Sequence, residues 1–384
     1  MRWTPPALVR HLKCQTLELE VPKEESVDKH TTIAVDIAKN VFEIAISEHP
    51  GKVSARRRCS RPQMLAFFRS REPSTVVVEA CGAAHQLGRT LAAMGHRVRL
   101  LPPAHVRRYV LGSKTDAADA TALLEANRNE QIIPVPVKTE AQQTLSAIHR
   151  MRSGWMRSRT ARLNMLRGVL RELGVTIPVG ARHVQPRVIE LLGSGQVGHP
   201  LAALLTAVLA EIQQLDQNVA EAKRQLKTSA KDIDSVRRLE TIPGIGLLSA
   251  TALVASVGEP SRFASGRRLA SFLGLVPREH SSGEIRRLGS ITKRGDPYLR
   301  TLLTPGARSV LLAAARRQRA GVKTLDRLQA WGLDLAQRRG HNRAAVAVAS
   351  KLARLAWAVW SHQDVYHSAT HRPAPTVNLA DCTR

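Results

Sequence analysis

Apolar and polar positions change period several times along the chain. Between Thr31 and Leu101 short apolar runs dominate. Thr31–Asp36 and Val41–Ser47 read as strands, and Lys52–Cys59 suits a third after the His49-Pro50-Gly51 turn. Thr75–Val78 is a continuous β-branched run, which predicts a buried strand ending at Glu79. Arg97–Leu101 predicts another strand, stopped by Pro102-Pro103. Helical spacing covers Gln63–Ser70, His85–Met94 (closed by Gly95) and Asp116–Asn127.

From Thr139 the period becomes that of long helices. Leu145, Ile148, Met151, Trp155, Leu163, Leu166 and Leu170 recur at helical spacing up to Leu173, and Gly174 and Pro178 end the run. Gly180–Pro200 has little periodicity and is expected to be loop-rich. Leu201–Leu239 resumes the helical pattern. The two long helices predict an antiparallel pair or a dimerising coiled coil. Leu239–Glu240 then ends a helix, Thr241–Gly246 reads as a tight turn, and Leu247–Val257 as a small-residue helix. This helix–turn–helix order suggests a helix-hairpin-helix, in which Gly244 and Gly246 let the backbone approach a phosphate. A serine-bearing loop follows, then helices over Tyr298–Arg319, Gly321–Gln337 and Arg343–Trp360. The expected organisation is an extension over 1–29, an α/β domain over 30–135 and a long-helix region over 139–238. A mainly α domain over 239–363 and a disordered tail over 364–384 complete it.

Charge narrows the function. The 384 residues carry a formal net charge of +27, which opposes compaction unless an anionic partner offsets it and points to nucleic acid. The basic residues are spread along the chain, so a membrane surface suits them less well. Ala344–Trp360, the most apolar late segment, is broken by Lys351 and Arg354 and argues against a membrane span. Aromatic residues make up only 3%, so phosphate contacts rather than base stacking must dominate binding. Cys14, Cys59, Cys81 and Cys382 form no CxxC pair, which leaves a zinc knuckle or disulfide framework without support. The N-terminus lacks a signal-peptide pattern, and a cytoplasmic protein is expected.

Three strands followed by alternating helix and strand is the order of a ribonuclease-H-like sheet, and the acids sit where such a site needs them. Asp36 and Glu79 end predicted strands. Asp116 and Asp119 are three apart on one helix face. Four such carboxylates suit two divalent ions about 3.5–4 Å apart, the geometry of in-line attack on a phosphodiester. Hard oxygen donors favour Mg²⁺ or Mn²⁺. Each acid also has a plainer role, with Thr115 or Asp116 capping the helix and Asp119 favoured in its first turn. Ser281-Ser282-Gly283, followed by Arg286, Arg287, Lys293, Arg294 and Arg300, places a hydroxyl among cations, as phosphoryl transfer at serine requires. An ordinary Ser-Gly turn on a basic surface is the alternative.

The chain resembles the transposases of insertion-sequence family 110. The resemblance is carried by VDIAK around Asp36, VVVEACG around Glu79, SKTDAADA around Asp116 and Asp119, LETIPGIG, and FLGLVPREHSSGEIRRLGSITKRGD with the LR that follows. It implies a RuvC-like DEDD domain that binds metal and a C-terminal serine that forms a phosphoserine link to DNA. The family position maps the nucleophile to Ser282, with Ser281 beside it. A structured noncoding guide RNA and a homo-oligomer, dimer or tetramer, are also implied. So is one subunit's acidic site meeting another's serine. A hydrolytic junction nuclease using the same acids, and a non-catalytic nucleic-acid-binding protein, are the alternatives at this point. Cys81 stands where many members carry Thr.

Overall fold

A computed structural model describes residues 31–113, 115–322 and 324–368. The expected 1–29 extension and most of the expected tail lie outside them. The chain divides into two compact units. One comprises the described residues up to Glu79 together with Leu91–Ile132. The other comprises Ala80–Thr90 and the described residues from Ile133 onward.

The first unit is built on a five-stranded sheet. Its strands are β1 (Thr32–Ile37), β2 (Val41–Ser47), β3 (Ala55–Ser60), β4 (Thr75–Glu79) and β5 (Arg97–Leu101), in the order β3-β2-β1-β4-β5. β1 and β2 pair antiparallel, as do β2 and β3, whereas β1, β4 and β5 run parallel. Central β1 and β4 carry the most apolar runs because both their faces are covered: Ile33–Val35 and Val76–Val78 are buried throughout. Helices α1 (Arg61–Arg69), α2 (Ala84–Ala93), α3 (Pro103–Val106) and α4 (Asp116–Arg128) follow in chain order. The sequence pattern located all five strands of this sheet within a few residues. It missed α3, whose four residues are too few to show a period.

α4 packs its buried Ala120, Ala122, Leu123, Leu124 and Ala126 with Ala34 of β1, Ala45 of β2 and Val77 of β4. Small residues on both surfaces let the helix lie close to the sheet. That face is also the one carrying Asp36 and Glu79, two residues beyond Ala34 and Val77.

The second unit contains two long helices, α5 (Glu140–Glu172) and α7 (His199–Ser229), with α6 (Val184–Gly193) between them. Thr139 caps α5 through a capping box with Gln142. α5 and α7 run antiparallel: Arg159 pairs with Asp216, and Arg162 with Glu211 at 2.8 Å. The expected loop over Gly180–Pro200 is corrected by α6, which buries Val184, Val188 and Leu191 with Leu163, Leu166, Leu170, Leu205 and Ile212. The expected single helix to Leu239 is likewise corrected, since it breaks at Ala230–Ile233 and restarts as α8 (Asp234–Glu240).

α9 (Leu247–Val257), α10 (Gly266–Phe272), α11 (Pro297–Arg319), α12 (Arg327–Arg339) and α13 (His341–Ser361) enclose the largest core, with Leu253, Leu269, Leu303, Val348 and Leu352 at its centre. The expected serine loop is the connection of a β-hairpin, whose strands β6 (Pro277–Glu279) and β7 (Leu288–Ile291) were not expected. α12 starts at Arg327, later than the expected Gly321, because Asp326 caps it by accepting from the Leu328 N–H at 2.6 Å. The expected tail from 364 is partly corrected too. Tyr366 donates its hydroxyl to Asp326 Oδ2 and its backbone N–H to Thr241 Oγ1, each at 2.8 Å. Among the described residues, no helix is long and apolar enough to cross a membrane.

Candidate active site

The acidic site forms at the carboxyl ends of β1 and β4. The parallel register sets Val35 opposite Val78, and one further step sets Asp36 beside Glu79. Thr115 caps α4, its Oγ1 accepting from the Ala118 N–H at 3.2 Å. With the cap supplied by the threonine side chain, the charges of Asp116 and Asp119 act on Asp36. Burial, then Asp119, Asp116 and Glu79 in that order, push the Asp36 carboxyl up to about 6, against a smaller opposing effect from the Ile37 backbone. The other three acids of the sequence pattern are thus within reach of Asp36 by their charge.

Such a set fits a hard divalent cation by its chemistry. All four donors are carboxylates, and their mutual repulsion is what a cation relieves. Among the described residues, no three His, Cys, Asp or Glu side chains are gathered closely enough to hold an ion as they stand. Ligation therefore has to draw the carboxylates inward.

Two residues at this site carried no sequence signal. Arg56 on β3 donates from Nη1 to the Ala117 carbonyl at 2.9 Å and from Nη2 to Thr121 Oγ1 at 2.8 Å. It ties down the α4 turn that bears Asp116 and Asp119. Glu43 lies directly opposite Asp36 in the β1–β2 register. Only strand register reveals it, since Glu43 belongs to no motif.

The serine pair lies at the tip of the β6–β7 hairpin. Ser281 Oγ donates to Glu279 Oε1 at 2.8 Å and accepts from the Arg287 N–H at 3.2 Å. Arg286 Nε joins the same Glu279 oxygen at 3.2 Å. Ser282 exchanges backbone hydrogen bonds with Ile285 across the tip. Its side chain is exposed, and no hydrogen bond to its hydroxyl occurs among the described residues.

The cations near the hairpin divide into two groups. Arg286, Arg287, Lys293 and Arg294 are exposed. Arg300 is committed internally: its Nη1 donates to the carbonyls of Arg294 at 2.8 Å, Leu273 at 3.1 Å and Gly295 at 3.3 Å. It braces the base of the hairpin. Gly295, at φ +75°, packs there against the Phe272 carbonyl so tightly that a Cβ would collide with it.

Gly244 and Gly246 also separate. Gly244 has φ +88°, and a Cβ on it would lie 2.7 Å from the Gly306 carbonyl oxygen in α11. Its lack of a side chain is used for packing the turn against a helix. Gly246 is exposed at the α9 N-cap position, where no side chain caps the helix.

Two family models match the chain. Residues 33–175 match a model described as a transposase, of the DEDD type. Residues 236–323 match the transposase IS116/IS110/IS902 family. The chain is also 40% identical over 337 residues to a probable family 20 transposase of Pseudomonas aeruginosa, covering 87% of this chain and 98% of that one. The chain belongs to the IS110 family of transposases. The transposase for insertion sequence element IS1111A of Coxiella burnetii is 38% identical, covering 87% of this chain and 90% of its own. That for IS1328 of Yersinia enterocolitica is 35% identical, covering 88% and 98%. Membership makes this chain an enzyme of DNA transposition, and DNA its partner. The DEDD match spans all four acids, and the second match spans the PGIG turn and both serines.

Proposed function

We propose that this transposase cuts and rejoins DNA through a covalent phosphoserine on Ser282, with Asp36, Glu79, Asp116 and Asp119 holding Mg²⁺ or Mn²⁺. The observation that carries the choice of serine is the contrast at the hairpin tip. Ser281 has its hydroxyl held by Glu279, whereas Ser282 presents an exposed hydroxyl. A bound divalent ion would neutralise charge on the scissile phosphate and favour in-line displacement.

The remaining work falls to the chain's own residues. Ser282 Oγ forms a bond to phosphorus as the P–O bond to the departing strand end breaks. The serine proton passes to solvent, and the departing oxygen takes one up. Arg286, Arg287, Lys293 and Arg294 hold the flanking phosphates. The hydroxyl of an exchanging strand then attacks the phosphoserine and releases Ser282. The bond energy is conserved, so strands are exchanged rather than hydrolysed. Gly246 and the first N–H groups of α9 offer a helix-hairpin-helix type of phosphate contact. By resemblance to the family, a structured noncoding RNA selects the DNA, and the active species is a homo-oligomer.

The test is a denaturing gel. The protein is mixed with the RNA encoded beside its gene, Mg²⁺ and labelled DNA spanning an element junction. A protein-linked DNA band is expected from wild type and Ser281→Ala, and is expected to vanish with Ser282→Ala and Asp116→Ala. Free cut DNA that survives both serine substitutions, without a linked band, would make the protein a hydrolytic nuclease. Activity unchanged in Asp116→Ala would remove the acidic site from the mechanism.

A further inference from the structure

On the second unit, α5, α9 and the start of α11 line a half-open cavity of about 280 Å³. Arg150, Ser153 and Arg157 line one wall, at the i, i+3, i+7 spacing that puts them on one stripe of α5. Lys138, just before α5, reaches in and donates to Ser146 Oγ at 2.9 Å. Ser146 in turn donates to the Ala255 carbonyl of α9 at 3.3 Å. An ammonium has three donors, so Lys138 retains others for a ligand.

The lining is strongly cationic. Lys138, Arg150 and Arg157 face a single carboxylate, Asp296. That carboxylate is already engaged as the α11 cap, accepting from the Tyr298 N–H at 2.7 Å. Hydroxyls of Ser153 and Ser256 add neutral donors.

The back wall is held rigid. Buried His149 sits 2.9 Å from Thr251 Oγ1 through Nε2 and 2.9 Å from the Tyr298 hydroxyl through Nδ1. Thr251 donates its own proton to the Leu247 carbonyl at 2.6 Å, so it accepts from His149 Nε2–H. Nδ1 then accepts from Tyr298. This chain joins α5, α9 and α11 around the cavity. Burial and then Arg152 push His149 down to about 4, so it is neutral and adds no charge. Burial and then Arg150 also lower the Lys138 ammonium, opposed by Asp296. A bound anion would relieve that crowding of like charges.

We propose that this cavity is a seat for one phosphate group carried by a nucleic-acid strand, held by Lys138, Arg150 and Arg157. Convergent cations and hydroxyls in a half-enclosed space suit a phosphate's oxygens better than a carboxylate's two. The cations of this cavity are different residues from the exposed cations of the serine hairpin in the same unit.

The test uses the full-length protein and two probes. In the first arm, thermal unfolding is followed in inorganic phosphate and in chloride of equal ionic strength. Wild type is expected to gain about 2 °C when phosphate is about tenfold above its Kd. The gain should be lost in Lys138→Met and in the Arg150→Gln/Arg157→Gln double variant, and kept in Arg171→Gln, which alters the same helix away from the cavity. Arg150 and Arg157 are exposed, so the double variant should retain the wild-type circular dichroism. In the second arm, binding to a labelled DNA duplex is measured against salt. The slope of log K on log salt should become shallower by about one in the double variant. A phosphate gain that persists in the cavity variants overturns the site. A lost gain with an unchanged salt slope overturns the strand as its source and leaves free phosphate as the ligand. Neither arm scores transposition, so the outcome is separate from that of the serine mechanism.

Discussion

The Ser281 hydroxyl donates to Glu279 Oε1 at 2.8 Å, tying the hairpin tip back to its own first strand. Arg286 meets the same oxygen at 3.2 Å. Ser281 therefore shapes the tip on which Ser282 is displayed. Ser281→Ala removes two exposed hydrogen bonds, to Glu279 and from the Arg287 N–H, and should slow formation of the DNA-linked species by less than about 10-fold. Ser282→Ala should abolish it. The comparison is made by single-turnover quantitation of the linked band.

Burial of Asp36, together with repulsion from its neighbouring acids, predicts a pH-dependent stability. Asp36 titrates at about 6 in the fold, above the ordinary 3.8. Its contribution is fully present below the ordinary value and is lost as pH rises through about 6. Asp36→Asn should therefore unfold at higher temperature than wild type at about pH 8, by about 1–2 kcal/mol after allowing for its partial exposure. The difference should vanish by about pH 4. Mg²⁺ should raise the wild-type unfolding temperature at the alkaline end and move Asp36→Asn much less. Thermal melts across pH, with and without Mg²⁺, read both effects.

His149 has the opposite sign. Its folded value, about 4, lies below the ordinary 6.5. Stability is present above the ordinary value and is lost as pH falls from there through about 4. The second unit of wild type should loosen across this window, by up to about 3 kcal/mol. His149→Gln should flatten that dependence while lowering stability at neutral pH. Denaturant unfolding followed by Trp fluorescence is the measurement.

The contact of Gly244 with Gly306 predicts a packing defect. Gly244→Ala places a Cβ 2.7 Å from the Gly306 carbonyl oxygen in a backbone with φ +88°. The cost should be about 2–4 kcal/mol. Gly306→Ala should be comparably damaging, because its Cβ would meet the Gly244 carbonyl. Gly246→Ala, with open space around it, should cost well under half as much. Urea denaturation distinguishes the three.

Arg56 predicts a positioning effect. Its bonds to the Ala117 carbonyl and Thr121 orient the first turns of α4. Arg56→Ala should cost about 1 kcal/mol of stability. It should also raise the Mg²⁺ concentration needed for half-maximal cleavage, with Arg56→Lys rescuing stability better than the metal requirement. A merely structural role would leave the metal requirement unchanged.

Much of the fold was legible in the chain because its strands and long helices carry clear periods. Val41–Ser47, Arg97–Leu101 and Leu247–Val257 were located to the residue. The misses share one physical cause. α6 and the β6–β7 hairpin are short elements whose residues face neighbours distant in sequence, so no local repeat marks them. Arg56 and Glu43 escaped notice for the same reason, since strand register and not sequence spacing brings them to the acids.

The sequence by itself determined the charge and most of the order of elements, and it singled out the four acids and two serines as candidates, because local period and residue chemistry suffice for these. Only the tertiary structure decided which serine hydroxyl is held and which is displayed. It also decided that Arg300 and Gly244 are spent inside the protein, and that Lys138, Arg150 and Arg157 share one cavity. Such assignments depend on which backbone carbonyls and side chains lie opposite one another after folding. Partners many residues away along the chain leave no trace in a local pattern.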